Sequence, residues 1–216
     1  TAFDLTSTST AAQTLTGTSG DDALVGGSGV DTISGLGGSD TIQAAAGDDV
    51  ITVSGKSGVF ADAINGGTGT DSLTISLAGV SDLGDFSSIT VNNTTGFITL
   101  TDSSGSTIQF TNIEDLTVGS TAYVRVTEQN GTVEEQAFYD SAGKVLYLFN
   151  DGTSGANLDD SVSVTSGTFI FGNQGIINLS DKLPGLNVTD NVSIVGSAGN
   201  DSMTLRDSRT TVLSGN

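Results

Sequence analysis

The 216-residue chain carries 25 acidic and 6 basic side chains, which gives it a net charge of −19. It has no Cys and no His, which excludes disulfides, thiolate metal sites, Ser-His-Asp triads and histidine-based zinc sites. Nucleic acids and anionic lipids are polyanions, so the charge argues against both as partners and favours cations. No apolar run approaches the ~18 residues of a membrane span, so we expect no membrane insertion.

A nine-residue period follows a Ser/Thr/Ala-rich start. Residues 1–14 show no period and are predicted to be a tail or linker. The period then runs through GTSGDDALV (17–25), GGSGVDTIS (26–34), GLGGSDTIQ (35–43) and AAAGDDVIT (44–52). Each copy places one Asp two residues after a Gly and two residues before a large aliphatic residue. Such regularity indicates a repeated structural unit.

The period predicts a parallel β-roll over residues 15–77. Each copy has six residues of turn chemistry and then a three-residue strand with one inward apolar side chain. A helix would need apolar residues every three or four positions and would not tolerate so many glycines. Two copies make a coil of about eighteen residues. Leu24 and Ile42 should therefore share one sheet, and Ile33 and Ile51 the other.

The repeat becomes irregular after residue 52. A four-residue insertion at 53–56 precedes SGVFADAIN (57–65), which keeps Asp62 but loses the glycines. GGTGTDSLT (66–74) restores the full pattern. Residues 78–120 are predicted to be an irregular β-solenoid continuation, with strands at 89–93, 97–101 and 106–113.

The C-terminal part of the chain is predicted to hold a second β unit. Residues 121–195 read as a β-rich domain with an antiparallel meander, and Asn130–Gly131 is a type I′ hairpin signal. The meander strands are predicted at 121–128, 132–140 and 144–150, and further strands at 161–172, 175–180 and 187–197. Residues 196–216 are predicted to be a C-terminal repeat segment, since GSAGNDSMT (196–204) returns to the nine-residue pattern at Asp201.

The recurring Asp residues predict a calcium site. Stacked coils would place Asp22 beside Asp40 and Asp31 beside Asp49, at roughly 5 Å, where like charges repel. A hard divalent cation removes that repulsion. Ca²⁺ accepts six to eight carboxylate and carbonyl oxygens, whereas Mg²⁺ demands tighter octahedral geometry. Glycine lets the carbonyls turn toward the ion.

The pattern GGxGxDxUx, intact at 26–34 and 66–74, resembles the RTX or hemolysin-type calcium-binding repeat (U is a large apolar residue). The resemblance implies several calcium ions between the coils of a parallel β-roll, type I export and an extracellular location. It also makes residues 196–216 an RTX-like repeat, in which the isolated Asp201 needs a partner from outside the chain. The implied ligands are the carboxylates of Asp22, Asp31, Asp40, Asp49, Asp62, Asp71 and Asp201 and carbonyls around Gly20, Gly27, Gly29, Gly38, Gly47, Gly67 and Gly69.

The composition resembles that of bacterial surface-layer proteins. The first hypothesis is therefore a non-enzymatic, secreted, calcium-dependent structural protein that self-assembles into a surface layer or filament. Its partner is another copy of the chain.

The alternative is a calcium-stabilised adhesin or binding module of a larger RTX exoprotein, with a ligand site in 121–195 and a cell-surface polysaccharide as a second candidate partner. An exposed aromatic cluster there would favour the adhesin; we expect the aromatics of 123–149 to form the meander core instead.

An enzyme is the third hypothesis. A lyase or glycosidase can work with carboxylates alone, and acids are plentiful. The β-rolls of RTX exoenzymes, however, are appendages to a catalytic domain. The zinc motif of RTX proteases and the GxSxG-plus-His of RTX lipases are also missing from this sequence. We therefore expect the protein not to be an enzyme.

Overall fold

The computed structural model describes residues 2–92, 95–130, 133–140, 145–149, 167–171, 176–178, 192–195, 202–204 and 211–214. The chain divides into two compact units. The first comprises Thr1–Ser88 and Phe97–Ala122, and the second comprises Ile89–Gly96 and Tyr123–Asn216. Within the described ranges the regular structure is strand, apart from a single 3-10 turn at Leu83–Asp85. No helix found there has the length and apolar character needed to cross a membrane.

The first twelve strands are three to five residues long. Within the repeats they are short because each nonapeptide uses six residues for its turn. Their bounds are β1 (Asp4–Thr6), β2 (Thr14–Thr16), β3 (Ala23–Val25), β4 (Thr32–Ser34), β5 (Thr41–Gln43), β6 (Val50–Val53), β7 (Ala61–Asn65), β8 (Ser72–Ile75), β9 (Ser88–Asn92), β10 (Phe97–Thr101), β11 (Thr107–Thr111) and β12 (Asp115–Val118).

From β1 to β8, consecutive strands alternate between two sheets, which is the arrangement of a β-roll. One sheet has the order β1-β3-β5-β7-β11-β10, and the other has the order β2-β4-β6-β8-β12. All of these pairs are parallel except β10 with β11. Leu24 pairs with Ile42 and Ile33 pairs with Ile51, which confirms the predicted roll and its register.

Each strand from β2 to β8 contributes at least one aliphatic side chain to the core between the sheets. Each of these side chains is at most 2% exposed, and burial of such a side chain stabilises the fold by about 1.5–3 kcal/mol. The set along the roll is Leu15, Leu24, Ile33, Ile42, Ile51, Ile64 and Leu73. The core is therefore a narrow seam, and the turns on either side of it hold most of the remaining interactions.

The structure differs from the sequence-based expectation of a tail or linker at residues 1–14. Leu5 pairs with Leu24 and Leu15 pairs with Ile33, so β1 and β2 form a first coil. The nonapeptide period does not reveal this coil because its turn lacks the glycines and the Asp. Leu5 and Leu15 nevertheless supply the inward aliphatic residues that the two sheets need, and Leu15 is 2% exposed.

The two departures from the repeat are absorbed in the turns. Residues 54–60 lengthen one coil, yet Thr41 still pairs with Ala63 and Ile42 with Ile64. The alanines of the fourth copy keep the glycine-type turn, since Ala45 adopts a left-handed φ of 84°. The sheets therefore continue in register through both irregularities.

The second unit contains the predicted antiparallel meander. β13 pairs with β14 and β14 with β15 in antiparallel register, while β15-β16-β18-β20 and β17-β19 are parallel. The Asn130–Gly131 turn signal falls partly outside the described residues. The bounds are β13 (Thr121–Asn130), β14 (Val133–Asp140), β15 (Val145–Phe149), β16 (Gly167–Phe171), β17 (Ile176–Asn178), β18 (Val192–Val195), β19 (Ser202–Thr204) and β20 (Thr211–Ser214).

Close stacking of the turns makes Gly67 intolerant of substitution. Its φ is 105°, and a methyl group there would overlap the carbonyl oxygen of Ala45 in the preceding coil. We expect Gly67→Ala to lower the free energy of unfolding by about 3 kcal/mol, through overpacking and backbone strain. The matched control is Gly58→Ala, because Gly58 has a φ of 71° but an open surrounding. It should cost only about 1 kcal/mol. Urea unfolding of both variants tests this, and equal losses would contradict the stacking argument.

Candidate metal centre

Six carboxylates lie buried along the turns of the roll. The residues are Asp22, Asp31, Asp40, Asp49, Asp62 and Asp71, and none is more than 4% exposed. Asp22, Asp40 and Asp62 lead into or belong to β3, β5 and β7, and we call this line the first edge. Asp31, Asp49 and Asp71 precede β4, β6 and β8, and we call this line the second edge. Buried carboxylates are costly unless they are paired or bound to a cation.

A hydrogen-bonded ladder runs along the second edge. The N–H of Asp31 donates to Oδ1 of Asp49 at 2.7 Å, and the N–H of Asp49 donates to Oδ1 of Asp71 at 2.9 Å. The ladder continues in both directions, because the Gln13 N–H donates to Asp31 at 2.8 Å and the Asp71 N–H donates to Glu114 at 2.9 Å. Each carboxylate therefore fixes the backbone of the preceding coil.

The first edge has the same ladder. The N–H of Asp22 donates to Oδ1 of Asp40 at 3.0 Å, and the N–H of Asp40 donates to Oδ1 of Asp62 at 2.9 Å. The ladder stops at Asp62, because the residue paired with it in β11 is Ile108. As the sequence predicted, Asp22 lies beside Asp40 and Asp31 lies beside Asp49.

The second carboxylate oxygens divide into satisfied and unsatisfied groups. Oδ2 of Asp22 accepts from the Thr18 N–H, and Oδ2 of Asp31 accepts from the Gly27 N–H at 2.8 Å. The Oδ2 atoms of three other residues are buried without a hydrogen-bond partner: Asp49, Asp62 and Asp71. A buried carboxylate oxygen in that state requires either a proton or a cation.

The pKa values along the second edge also indicate that its carboxylates require a proton or a cation. Burial raises the pKa of Asp71 to about 6, against the lowering effect of the Asp49 N–H. The negative charges of Asp49, Glu114 and Asp48 raise it further. Burial also raises the pKa of Asp49, opposed by the hydrogen bond from Asp31. Without a counter-charge, burial therefore makes the ionised form of both groups less favourable than it is in water.

The first edge contains a positive charge that the sequence analysis had not assigned. Lys56 Nζ lies 2.7 Å from Oδ2 of Asp40 and 2.8 Å from Oδ1 of Asp62. It also donates to the carbonyl oxygen of Gly38 at 3.0 Å. Burial raises the pKa of Asp62, and the hydrogen bonds from Lys56 and Asp40 oppose that rise.

The predicted carbonyl ligands line the same turns. A methyl group on Gly38, Gly47 or Gly69 would meet the carbonyl group of Gly20, Gly29 or Gly47, respectively, in the preceding coil. Gly67 lies against Ala45 in the same way, and the Gly27 carbonyl accepts from the Ala46 N–H at 3.2 Å. The turns of the roll therefore contain both carboxylate and closely stacked carbonyl groups, which is the donor chemistry that Ca²⁺ prefers.

The described residues contain no cluster of three acidic side chains at metal-binding separations. A cation between coils would therefore need backbone carbonyls besides the one or two carboxylates. The residues fit calcium on these terms, since Asp49 and Asp71 each offer a buried oxygen without a partner.

Glu114 extends the second edge beyond the last predicted Asp. Its Oε2 accepts the Asp71 N–H at 2.9 Å, the role that Asp71 plays for Asp49. A sequence signal existed, because Glu114 stands two residues before Leu116, as each repeat Asp stands two residues before its aliphatic residue. The surrounding segment has no glycine pattern, which is why the position was not singled out.

Some predicted features involve residues that the structure does not describe. Asp201 lies outside the described residues, so its role as a ligand stays a prediction. Among the meander aromatics, Tyr123 is 2% exposed and Phe138 is 0% exposed. These two side chains are therefore buried, as expected of a core. The side chains of Tyr139, Tyr147 and Phe149 are not among those described.

Comparison with known proteins identifies the repeats. Residues 12–52 match the family model of the RTX calcium-binding nonapeptide repeat in four copies, which confirms the predicted repeat type and implies Ca²⁺ binding. No curated protein matches the chain. Among solved structures, the chain is similar to the crystal structure of the extracellular lipase LipA from Serratia marcescens, with 18% identity and a TM-score of 0.39. The match covers 92% of this chain and 33% of that one, so the chain spans about a third of its length.

Asp71→Asn should have opposite effects with and without calcium. In calcium-free buffer the neutral amide removes a buried charge and keeps an oxygen for the Asp49 N–H, so we expect a higher thermal midpoint. In calcium the variant has lost a ligand, so we expect the calcium affinity to fall about tenfold or more. Circular dichroism melts and calcium titrations measure both. The control is Asp115→Asn, an exposed carboxylate nearby, which should change neither quantity.

The raised pKa of Asp71 predicts a pH-dependent gap between the wild type and Asp71→Asn in calcium-free buffer. The folded protein holds the Asp71 proton up to a pKa of about 6, whereas the usual value is 3.8. Folding stability from this group is therefore lost as the pH rises between these values. The wild type should be less stable than Asp71→Asn at about pH 7, and the gap should narrow by about pH 5. Urea midpoints at both pH values test this; a constant gap would contradict it.

Proposed function

We propose that calcium ions bind between coils along the turn edges and fold the β-roll of this protein outside the cell. We further propose that the folded protein is non-enzymatic and assembles with other copies of itself on a bacterial surface. The RTX repeats at residues 12–52 support the coarser statement, a calcium-binding module of the exoprotein type. Self-assembly and the surface location are the finer part of the proposal.

One observation carries the calcium proposal. Asp49 and Asp71 are 0% exposed, adjacent in the ladder, and each has a carboxylate oxygen without a hydrogen-bond partner. Two such carboxylates would destabilise the coils that bring them together. A bound calcium ion supplies positive charge and accepts several oxygen ligands at once. The pair therefore favours the folded coils only when the cation is present.

Folding that depends on calcium suits export. In a calcium-poor cytoplasm the net charge of −19 keeps the chain expanded. Extracellular calcium modules bind at about 10⁻⁴–10⁻³ M, so millimolar external calcium is sufficient to fill such sites. Ion binding and folding then occur as one event, because the coils that form the sites do not exist in the unfolded chain.

Self-assembly is supported by the ends of the sheets and by the charge. β1 and β2 stand at one end of their respective sheets, where backbone groups can pair with strands of another copy. Phe3, beside β1, is 41% exposed, and a second copy would cover part of its apolar surface. Calcium lowers the negative charge of each chain, which reduces repulsion between copies.

The second candidate is a calcium-stabilised adhesin or binding module of a larger RTX exoprotein, with a cell-surface polysaccharide as ligand. The division into a roll unit and a second unit favours it, because the second unit is then free to bind. An exposed aromatic platform would strengthen it, but Tyr123 and Phe138 are buried. We therefore place this candidate second.

The first experiment combines circular dichroism with light scattering, in EGTA and then in millimolar CaCl₂. We expect a marginally stable monomer with a low melting midpoint and little β-structure in EGTA, and β-structured large particles in calcium. A folded monomer in calcium would support the calcium-dependent roll and move the adhesin module to first place. Millimolar MgCl₂ is the matched control and should not fold the chain. An unchanged spectrum on calcium addition would overturn the whole proposal.

A further inference from the structure

We propose that Lys56 is a built-in cation that takes the place of one calcium ion on the first edge. Its ammonium group neutralises the facing carboxylates of Asp40 and Asp62, so that these two coils stack without a metal ion. This inference deepens the calcium proposal and rests on it for the identity of the ion that is replaced. It also predicts a latent calcium site, which replacement of Lys56 by a neutral residue would open.

The ammonium group has the surroundings of a bound cation. Its three oxygen neighbours are two carboxylates from successive coils and one backbone carbonyl, at 2.7, 2.8 and 3.0 Å. The side chains of Lys56, Asp40 and Asp62 are 3%, 1% and 1% exposed. Nζ also lies 5.2 Å from the centre of the Phe60 ring, a further favourable contact for a cation.

The second edge shows what the same position looks like without a lysine. Asp49, Asp71 and Gly47 occupy the repeat positions of Asp40, Asp62 and Gly38. Oδ2 of Asp40 accepts from Lys56, whereas Oδ2 of Asp49 is buried without a partner. The two edges therefore present equivalent oxygen sets, and only the first of them carries its own positive charge.

The four-residue insertion explains how a lysine can reach this place. Successive Asp residues of one edge are 18 residues apart at Asp22 and Asp40, but 22 apart at Asp40 and Asp62. The extra length forms the turn from which Lys56 extends back to the carbonyl of Gly38, 18 residues earlier. The insertion therefore has a structural role, because it places the Lys56 ammonium group between Asp40 and Asp62.

A buried ammonium group here is stable only because the two carboxylates face it. Removal of one partner from a buried ion pair is strongly destabilising, since the remaining charges are left uncompensated. Lys56→Met keeps most of the side-chain volume and removes the charge. In this variant Asp40 and Asp62 face each other with a carbonyl between them, which is an oxygen set suited to calcium.

The test compares Lys56→Met with the wild type by calcium titration calorimetry and by thermal melts. In EGTA we expect the midpoint of K56M to fall by about 10 °C. In calcium we expect K56M to bind one more ion per chain than the wild type and to recover most of the lost midpoint. The control Ser57→Ala, at an exposed position in the same turn, should match the wild type in both measurements.

Two further variants keep the proposal falsifiable. Adding Asp40→Asn and Asp62→Asn to K56M removes the charges that need a cation, so this triple variant should lose the extra ion and fold in EGTA. Equal ion counts in K56M and wild type, with equal calcium dependence of their midpoints, would overturn the proposal. So would a K56M that stays unfolded in calcium while the triple variant folds. If the wild type binds no calcium but K56M is still destabilised in EGTA, the calcium proposal fails and the structural role of the ammonium group stands.

Discussion

Repulsion between buried carboxylates is the constraint on which the roll depends. Each coil that stacks on the last one adds an Asp directly beside the Asp before it, and both are removed from water. The backbone N–H of the preceding coil satisfies Oδ1 of each later Asp, but the Oδ2 atoms of Asp49, Asp62 and Asp71 are buried without a hydrogen-bond partner. On the first edge, the ammonium group of Lys56 offsets the negative charges of Asp40 and Asp62. On the second edge, no ion pair is found at Asp49 and Asp71 among the described residues, so the two edges differ in how their buried charge is balanced.

The regular part of the fold could be predicted because each repeat contains both its turn residues and its strand residue. The turn glycines, the Asp and the aliphatic residue recur together, so the spacing alone predicted the pairing of Leu24 with Ile42. The hairpin signal at Asn130–Gly131 likewise predicted the antiparallel pairing of β13 with β14. In both cases the information lies within a few residues.

The remaining features depend on contacts between residues far apart in the chain. The first coil uses Leu5 and Leu15 without any repeat signature, because neighbouring coils impose its shape. Glu114 reaches Asp71 across 43 residues of sequence. Lys56 is one of only six basic residues in the sequence. Its role as a counter-charge depends on oxygen atoms that the fold brings together from two coils. The roles of these residues are determined by tertiary contacts, so no local sequence pattern predicts them.

The ladder also gives the roll a direction. In every step the carboxylate belongs to the later coil and the N–H belongs to the earlier one. An earlier coil therefore has an unmatched backbone donor until the next coil has been laid down. A chain that emerges with its N-terminal end first presents donors before their acceptors, and each coil waits for 18 to 43 residues of further chain. A chain that emerges from the opposite end presents the acceptors first. In both cases each new coil closes onto the coil laid down before it, so nucleation is needed only once.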